Sequence, residues 1–148
     1  MKIFIGADHQ GFELKTKLLG ILRSLGYEVA DEGDGRLDPE DDFPVFAAKT
    51  VRALQASDDE DARGILICGS GQGMCMAANR FKGIRACLGY DRASVRSSRN
   101  DDDSNVLCIP AATLKTKDAE IIVQTWLDTP FAGAARFIRR IKELDELE

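Results

Sequence analysis

Four groups of residues in this chain have the types and spacing that chemistry needs. The first is the run Gly64-Ile-Leu-Ile-Cys-Gly-Ser-Gly-Gln-Gly73, where an apolar stretch feeds a glycine-rich turn with a thiol at the junction. Ile65, Leu66 and Ile67 read as a strand buried on both faces, the usual state of a parallel-sheet strand between helices. Cys68 is then expected at its carboxyl end, where open α/β sheets bind ligands. The turn Gly69-Ser-Gly-Gln-Gly73 can point backbone N–H groups at an anion, and a short helix from Met74 to Asn79 follows. A thiol beside such donors is expected to have a lowered pKa and to act as proton acceptor or nucleophile. The plainer alternative makes Cys68 a small buried hydrophobe and the glycines a tight connection.

The second group, Asp8 and His9, follows another apolar strand, and His9 is the only histidine in the chain. A place beyond a strand end favours binding, although Asp8 is also a residue type that caps helices. The third is the loop Asp101-Asp-Asp-Ser-Asn105, which precedes a strand and faces either the site or a partner subunit. The fourth is Arg136, Arg139 and Arg140, whose i, i+3, i+4 spacing puts them on one helix face. That face suits a phosphate, or is simply a solvated basic surface near the C-terminal end.

The elements that must position these groups alternate. Strands are expected at Lys2–Ala7, Glu28–Asp31, Ile65–Ile67, Gly83–Leu88 and Val106–Ile109. Helices are expected with apolar faces at Leu14, Leu18, Leu22 and Leu25, then at Ala47, Val51 and Leu54. A polar helix runs from Asp91 to about Asn100, another from about Thr116 carries Ile122 and Trp126, and a last one from about Gly133 carries Phe137, Ile141 and Leu144. The acidic loop from Gly33 to Asp42 is expected to be exposed. Short connections between alternating strands and helices specify one parallel sheet covered on both faces.

Composition bounds the possibilities. With 148 residues, 44% of them hydrophobic, the chain supports a single domain over residues 1–148 with a proper core. A net charge of -5 with scattered acids excludes nucleic acid as the expected partner. No long apolar stretch or signal-peptide pattern is visible, so a cytoplasmic protein without a membrane partner is expected. Cys68, Cys75, Cys87 and Cys108 contain no C-x-x-C pair, which suggests neither zinc nor a disulfide framework. The glycines also invite comparison with a dinucleotide fingerprint, with Asp91 as the ribose-binding acid. Met74 occupies the place of its last glycine, however, and the motif follows the third strand instead of the first. No Gly-Lys-Ser/Thr completes a P-loop.

Taken together, Gly6-Ala-Asp-His-Gln-Gly-Phe12, Asp42-Phe-Pro44, the Gly64–Gly73 run, Ala77-Ala-Asn79 and Gly83-Ile-Arg-Ala86 resemble the ribose-5-phosphate isomerase B / galactose-6-phosphate isomerase family. The resemblance covers nearly the whole chain in order. It implies a Rossmann-like three-layer α/β/α sandwich with a five-stranded parallel sheet. It further implies a homodimer, with or without pairing into tetramers, whose active sites lie at the subunit interface. The implied activity is aldose–ketose isomerisation of a sugar phosphate through a cis-enediolate, without metal or cofactor.

By position, the resemblance makes Cys68 the base that moves a proton between C2 and C1, with Ser70 assisting. The amides of Gly69, Gly71 and Gly73 stabilise the enediolate oxygen. Asp8 and His9 bind the sugar hydroxyls and the phosphate end. Members of the family that act on ribose 5-phosphate typically read His-Asn before the fifth strand, the histidine opening the furanose ring; Asp101 and Asp102 occupy those positions here, making Asp101 the candidate ring-opening group and Asp102 a binding residue. An arginine usual just after that strand is replaced in Pro110-Ala-Ala112. Arg139 keeps a phosphate-binding position, and Arg136 lies one place from another. These departures leave three readings: an isomerase of ribose 5-phosphate, an isomerase of a hexose or weakly phosphorylated sugar, and a sugar-phosphate-binding homologue without turnover.

Overall fold

The computed structural model describes residues 1–147. Its strands are β1 (Lys2–Ala7), β2 (Glu28–Asp31), β3 (Arg63–Cys68), β4 (Ala86–Leu88) and β5 (Val106–Pro110). They pair in the order β2-β1-β3-β5-β4, every pair parallel, with Ala7 opposite Ile67 and Cys68 opposite Pro110. Side chains alternate across a strand, so Ile65 and Ile67 enter one core while Leu66 and Cys68 enter the other. Helices α1 (Phe12–Ser24), α4 (Arg92–Asp102) and α5 (Thr116–Asp128) cover the first face through Leu18, Leu22, Val95, Ile122 and Trp126. Helices α2 (Phe43–Gln55) and α3 (Gln72–Ala78) cover the second through Ala47, Val51, Met74 and Ala78. A last helix, α6 (Ala135–Asp145), packs against α4 and buries Phe137. The expected Rossmann-like α/β/α sandwich is the one observed.

Two expectations need correction. The fourth strand begins at Ala86, not Gly83, because the Asn105 side chain takes over the local pairing: its Oδ1 accepts from Arg85 N at 2.8 Å and its Nδ2 donates to Gly83 O at 2.8 Å. Asp101 and Asp102 are not loop residues but the last turn of α4. Arg85 Nε donates to the carbonyls of Asp102 and Asp103, both at 3.0 Å, and Asp103 closes the helix at φ 48°; such a donor satisfies carbonyls that a helix end otherwise leaves free. Helix α6 starts at Ala135, close to the expected Gly133, with Arg136 and Arg139 in its first half.

The beginning of β5 is tied down by a closed polar network. Buried Arg99 donates to Asp103 Oδ1 and Ser104 O, each at 2.7 Å, while the fully buried Trp126 donates its indole N–H to Ser104 Oγ at 2.8 Å. Among the described residues no helix is long and apolar enough to cross a membrane.

Candidate active site

In this strand order β2 and β3 lie on opposite sides of β1, so the chain switches direction across the sheet between β1 and β3. A crevice for ligands forms at such a switch point, outside the carboxyl ends of the strands. Asp8 and His9 leave β1 there, and the glycine turn leaves β3 there. The two ends are joined by Asp8 N donating to Ile67 O at 3.3 Å.

Asp8 is buried, and its Oδ1 accepts from the amides of Gln10 at 3.0 Å and Gly11 at 3.1 Å. It therefore does form the turn into α1, as its residue type allows. Burial pushes its carboxyl up from the ordinary carboxylate range, against the lowering effect of the Gly11 amide. His9 is gripped by a residue that sequence reasoning missed. Asp41 Oδ1 accepts from the His9 backbone N–H at 3.0 Å and lies 2.6 Å from its ring Nδ1. This hydrogen bond holds the imidazole above its ordinary value of 6.5, and the charges of Asp41, Asp8 and Glu40 add to it. The acidic loop is thus not uniformly exposed, for the Asp41 side chain is only 7% accessible. Nothing in the sequence distinguished Asp41 from Asp38, Glu40 and Asp42 around it.

Cys68 is buried at the end of β3, and its Sγ accepts the Gly71 amide at 3.1 Å. Gly71 holds a backbone conformation of φ 74°, ψ -17°, which turns that amide back onto the sulfur. Cys68 O and Gly69 O accept from Ala111 N and Ala112 N, both at 2.9 Å, so the segment after β5 braces the turn. Ser70 is exposed, its Oγ accepting from Gln72 N at 3.3 Å. The exposed Gln10 side chain lies over Gly69, a second neighbour that the sequence did not single out. A half-buried thiol elsewhere, Cys75, is held below the ordinary thiol range by a hydrogen bond with Cys108, whereas burial pushes Cys108 well up.

The other predicted residues do not reach this crevice within one chain. Helix α4 runs back from the carboxyl edge of the sheet to the amino edge, so Asp101 and Asp102 end up where β5 begins, opposite the Cys68 end. Asp101 Oδ1 accepts from Asn100 Nδ2 at 2.7 Å, and Asp102 is exposed. The segment into α6 starts beside them, with Ala132 N donating to Asn100 O at 3.1 Å. Arg136 lies over the Phe137 ring at 4.6 Å, and Arg139 pairs loosely with Glu143 at 3.7 Å on the exposed surface. Asp91 is consumed as the N-cap of α4, accepting from Ser94 N at 2.7 Å in a capping box. That removes the acid on which a dinucleotide reading depended.

Fold and strand order together define an open, doubly wound α/β protein, with a buried thiol and a glycine turn at the β1/β3 switch point, the place where such sheets receive ligands. The chain belongs to the Ribose/Galactose Isomerase family, whose model matches residues 3–144. It is 38% identical over 142 residues to the probable ribose-5-phosphate isomerase B of Mycoplasma pneumoniae, spanning 96% of this chain and 91% of that one. Its fold matches the ribose 5-phosphate isomerase of Thermotoga maritima with a TM-score of 0.92 at 40% identity, covering 99% of this chain and 98% of that one. It matches ribose-5-phosphate isomerase B from Mycoplasma genitalium, solved with bound ribulose-5-phosphate, with a TM-score of 0.91 at 36% identity, covering 97% and 93%.

Proposed function

We propose that the protein interconverts ribose 5-phosphate and ribulose 5-phosphate, with Cys68 as the base. The observation that carries this is the Cys68 Sγ held at 3.1 Å by the Gly71 amide, at the carboxyl end of β3, in a chain of this family. A thiolate there takes the proton from C2 of the open-chain aldose. The resulting enediolate places negative charge where the amides of Gly69 and Gly73 can meet it, while the Gly71 amide, expected beside them, is engaged by the sulfur; the thiol returns the proton to C1. Hydrogen-bond donors fixed before the reaction stabilise such charge without reorganising. Ser70 assists beside the base, and Asp8 and His9 hold the hydroxyls and the phosphate end.

The remaining residues fit a site shared between two subunits. Asp101 and Asp102 end helix α4 at the opposite edge of the sheet, and Arg136 and Arg139 contact only Phe137 and Glu143 within the chain, so a homodimer is the arrangement in which these residues meet the Cys68 site of another copy. A second reading, isomerisation of a different sugar phosphate, is favoured by Asp101, Asp102 and Pro110-Ala-Ala112, which stand where the resemblance leads one to expect His-Asn and an arginine. The test is a coupled assay over pentose and hexose phosphates, with unphosphorylated sugars as controls. Cys68→Ala should lower turnover at least about 10²-fold, the scale of a positioned general base, while Cys87→Ala retains it. Near-native turnover by Cys68→Ala on the best substrate would remove Cys68 from the mechanism.

A further inference from the structure

We propose that Asp41 is a positioning residue for substrate binding: by holding both the backbone N–H and the ring Nδ1 of His9, it presents His9 Nε2 as a fixed donor to the phosphate monoester of the substrate. The proposal rests on the sugar-phosphate reading given above. One carboxylate oxygen grips two donors of the same residue, at 3.0 Å and 2.6 Å, which fixes the side-chain torsions as well as the ring. A ring nitrogen facing a carboxylate this closely carries the proton, so Nε2, on the far side of the ring, is the atom left for a ligand. Accessibility runs the same way. The Asp41 side chain is 7% exposed and that of His9 29%, so the anchor lies inside and the ring reaches solvent.

Charge makes the pairing consequential. The groups around the ring are Asp41, Asp8 and Glu40, all acidic. A phosphate brought among them is repelled unless the imidazole carries its proton, and the carboxylate that orients the ring also favours that charged form. The loop that carries Asp41 is pinned at both ends. On one side, buried Lys15 donates to both Asp31 oxygens, at 2.7 and 2.6 Å, and to Asp34 O at 3.0 Å. On the other, Asp41 N donates to Asp38 O at 3.2 Å and Val45 N to Asp42 O at 3.1 Å, where α2 begins.

Because the chain has one histidine, side-chain ¹H–¹⁵N spectra report His9 alone. In the 148-residue chain the wild-type ring should titrate above 6.5, Asp41→Asn should bring the midpoint down, and Asp41→Glu should restore part of the shift. Added inorganic phosphate should raise the wild-type midpoint further and act less on Asp41→Asn. In steady state Asp41→Asn should raise KM for the sugar phosphate about tenfold, as expected for weakening one charge-assisted hydrogen bond, with a smaller fall in kcat. In a His9→Gln background, Asp41→Asn should change KM by less than about twofold, since the two then act as one unit. Identical titration of wild type and Asp41→Asn, or independent KM penalties in the double variant, would overturn the proposal. So would a loss confined to kcat on ring-closed substrate, which would make His9 an acid–base group instead. If the wild type turns over no sugar phosphate, the isomerase reading fails, while the titrations with and without phosphate still decide the role of Asp41.

Discussion

Replacing Gly71 by alanine tests the architecture of the site at its tightest point. The residue sits at φ 74°, and an added Cβ would lie 2.5 Å from Leu88 Cδ1 and 3.3 Å from both Ile109 C and Pro110 N. A non-glycine residue forced into this region costs about 1–3 kcal/mol, and overfilling a packed site costs a further ~1–3 kcal/mol. Leu88 can yield by rotating, but the β5 backbone cannot, so we expect a loss of about 3 kcal/mol and, for a domain of this size, roughly 10 °C in Tm. Relief would come by moving the turn outward, which draws the Gly71 amide away from the Cys68 sulfur. Loss of one such donor lowers kcat by about 10²-fold or more. Gly69→Ala is the control: its Cβ meets only the side chain of the exposed Gln10, which can swing aside, so stability should change by less than about 1 kcal/mol. Thermal melts and turnover of the two variants decide the matter. If Gly71→Ala melts within about 2 °C of wild type and keeps its rate, the turn is not held by the contacts described here.

Three further outcomes are expected. Asp31→Asn leaves the 2%-exposed Lys15 ammonium without its carboxylate partner, and urea unfolding should show a loss of about 3 kcal/mol, the low end for a broken buried pair because Asp31 keeps some solvent; Lys15→Met combined with Asp31→Asn should recover most of it. His9 is held above 6.5, so its protonated form contributes a share of stability that is fully present below pH 6.5 and fades as pH rises through the folded value; KM for a phosphorylated substrate should rise over that same interval, and a KM flat from pH 6 to 9 would contradict it. Asp101→His should raise turnover of ribose 5-phosphate by about 10²-fold if the natural site lacks a ring-opening group, and equal rates for wild type, Asp101→Asn and Asp101→His would deny that position any catalytic part.

What the sequence revealed follows a physical division. Apolar runs such as Ile65–Ile67 and periodic leucines such as Leu14, Leu18 and Leu22 report burial directly, so the strands and the helices covering them were legible. Cys68 and the glycine turn were legible for the related reason that glycine and a strand end each restrict what can be built there. Two kinds of feature were not. The true start of the fourth strand depends on the Asn105 side chain, twenty residues beyond Arg85, standing in for a ladder hydrogen bond; no local propensity encodes that. The end of α4 depends likewise on Arg85 reaching its last carbonyls, so an Asp-Asp-Asp run that reads as a solvated loop is instead helical through Asp102. Asp41 was hidden among look-alike acids, because what marks it is a long-range partner.

The two edges of the sheet also differ in a way that bears on where chemistry can occur. At the amino edge polar groups are spent on one another: Arg99 on Asp103 and Ser104, Trp126 on Ser104, and Asn105 on Gly83 and Arg85. Side chains satisfied in this way resist substitution and hold the ends of elements in place. At the carboxyl edge the backbone is braced, through Ala111 and Ala112, while Ser70 and the His9 ring remain reachable by solvent. Donors and acceptors held rigid but not satisfied by protein are what a polar ligand needs. Asp101 and Asp102 belong to the first edge by position, yet Asp102 is exposed and, among the described residues, the Asp101 carboxylate is bonded only to its neighbour Asn100. Their carboxylates are therefore the part of that edge free to change without loosening β5, so substitutions at Asp101 and Asp102 can alter chemistry while the fold that carries them stays the same.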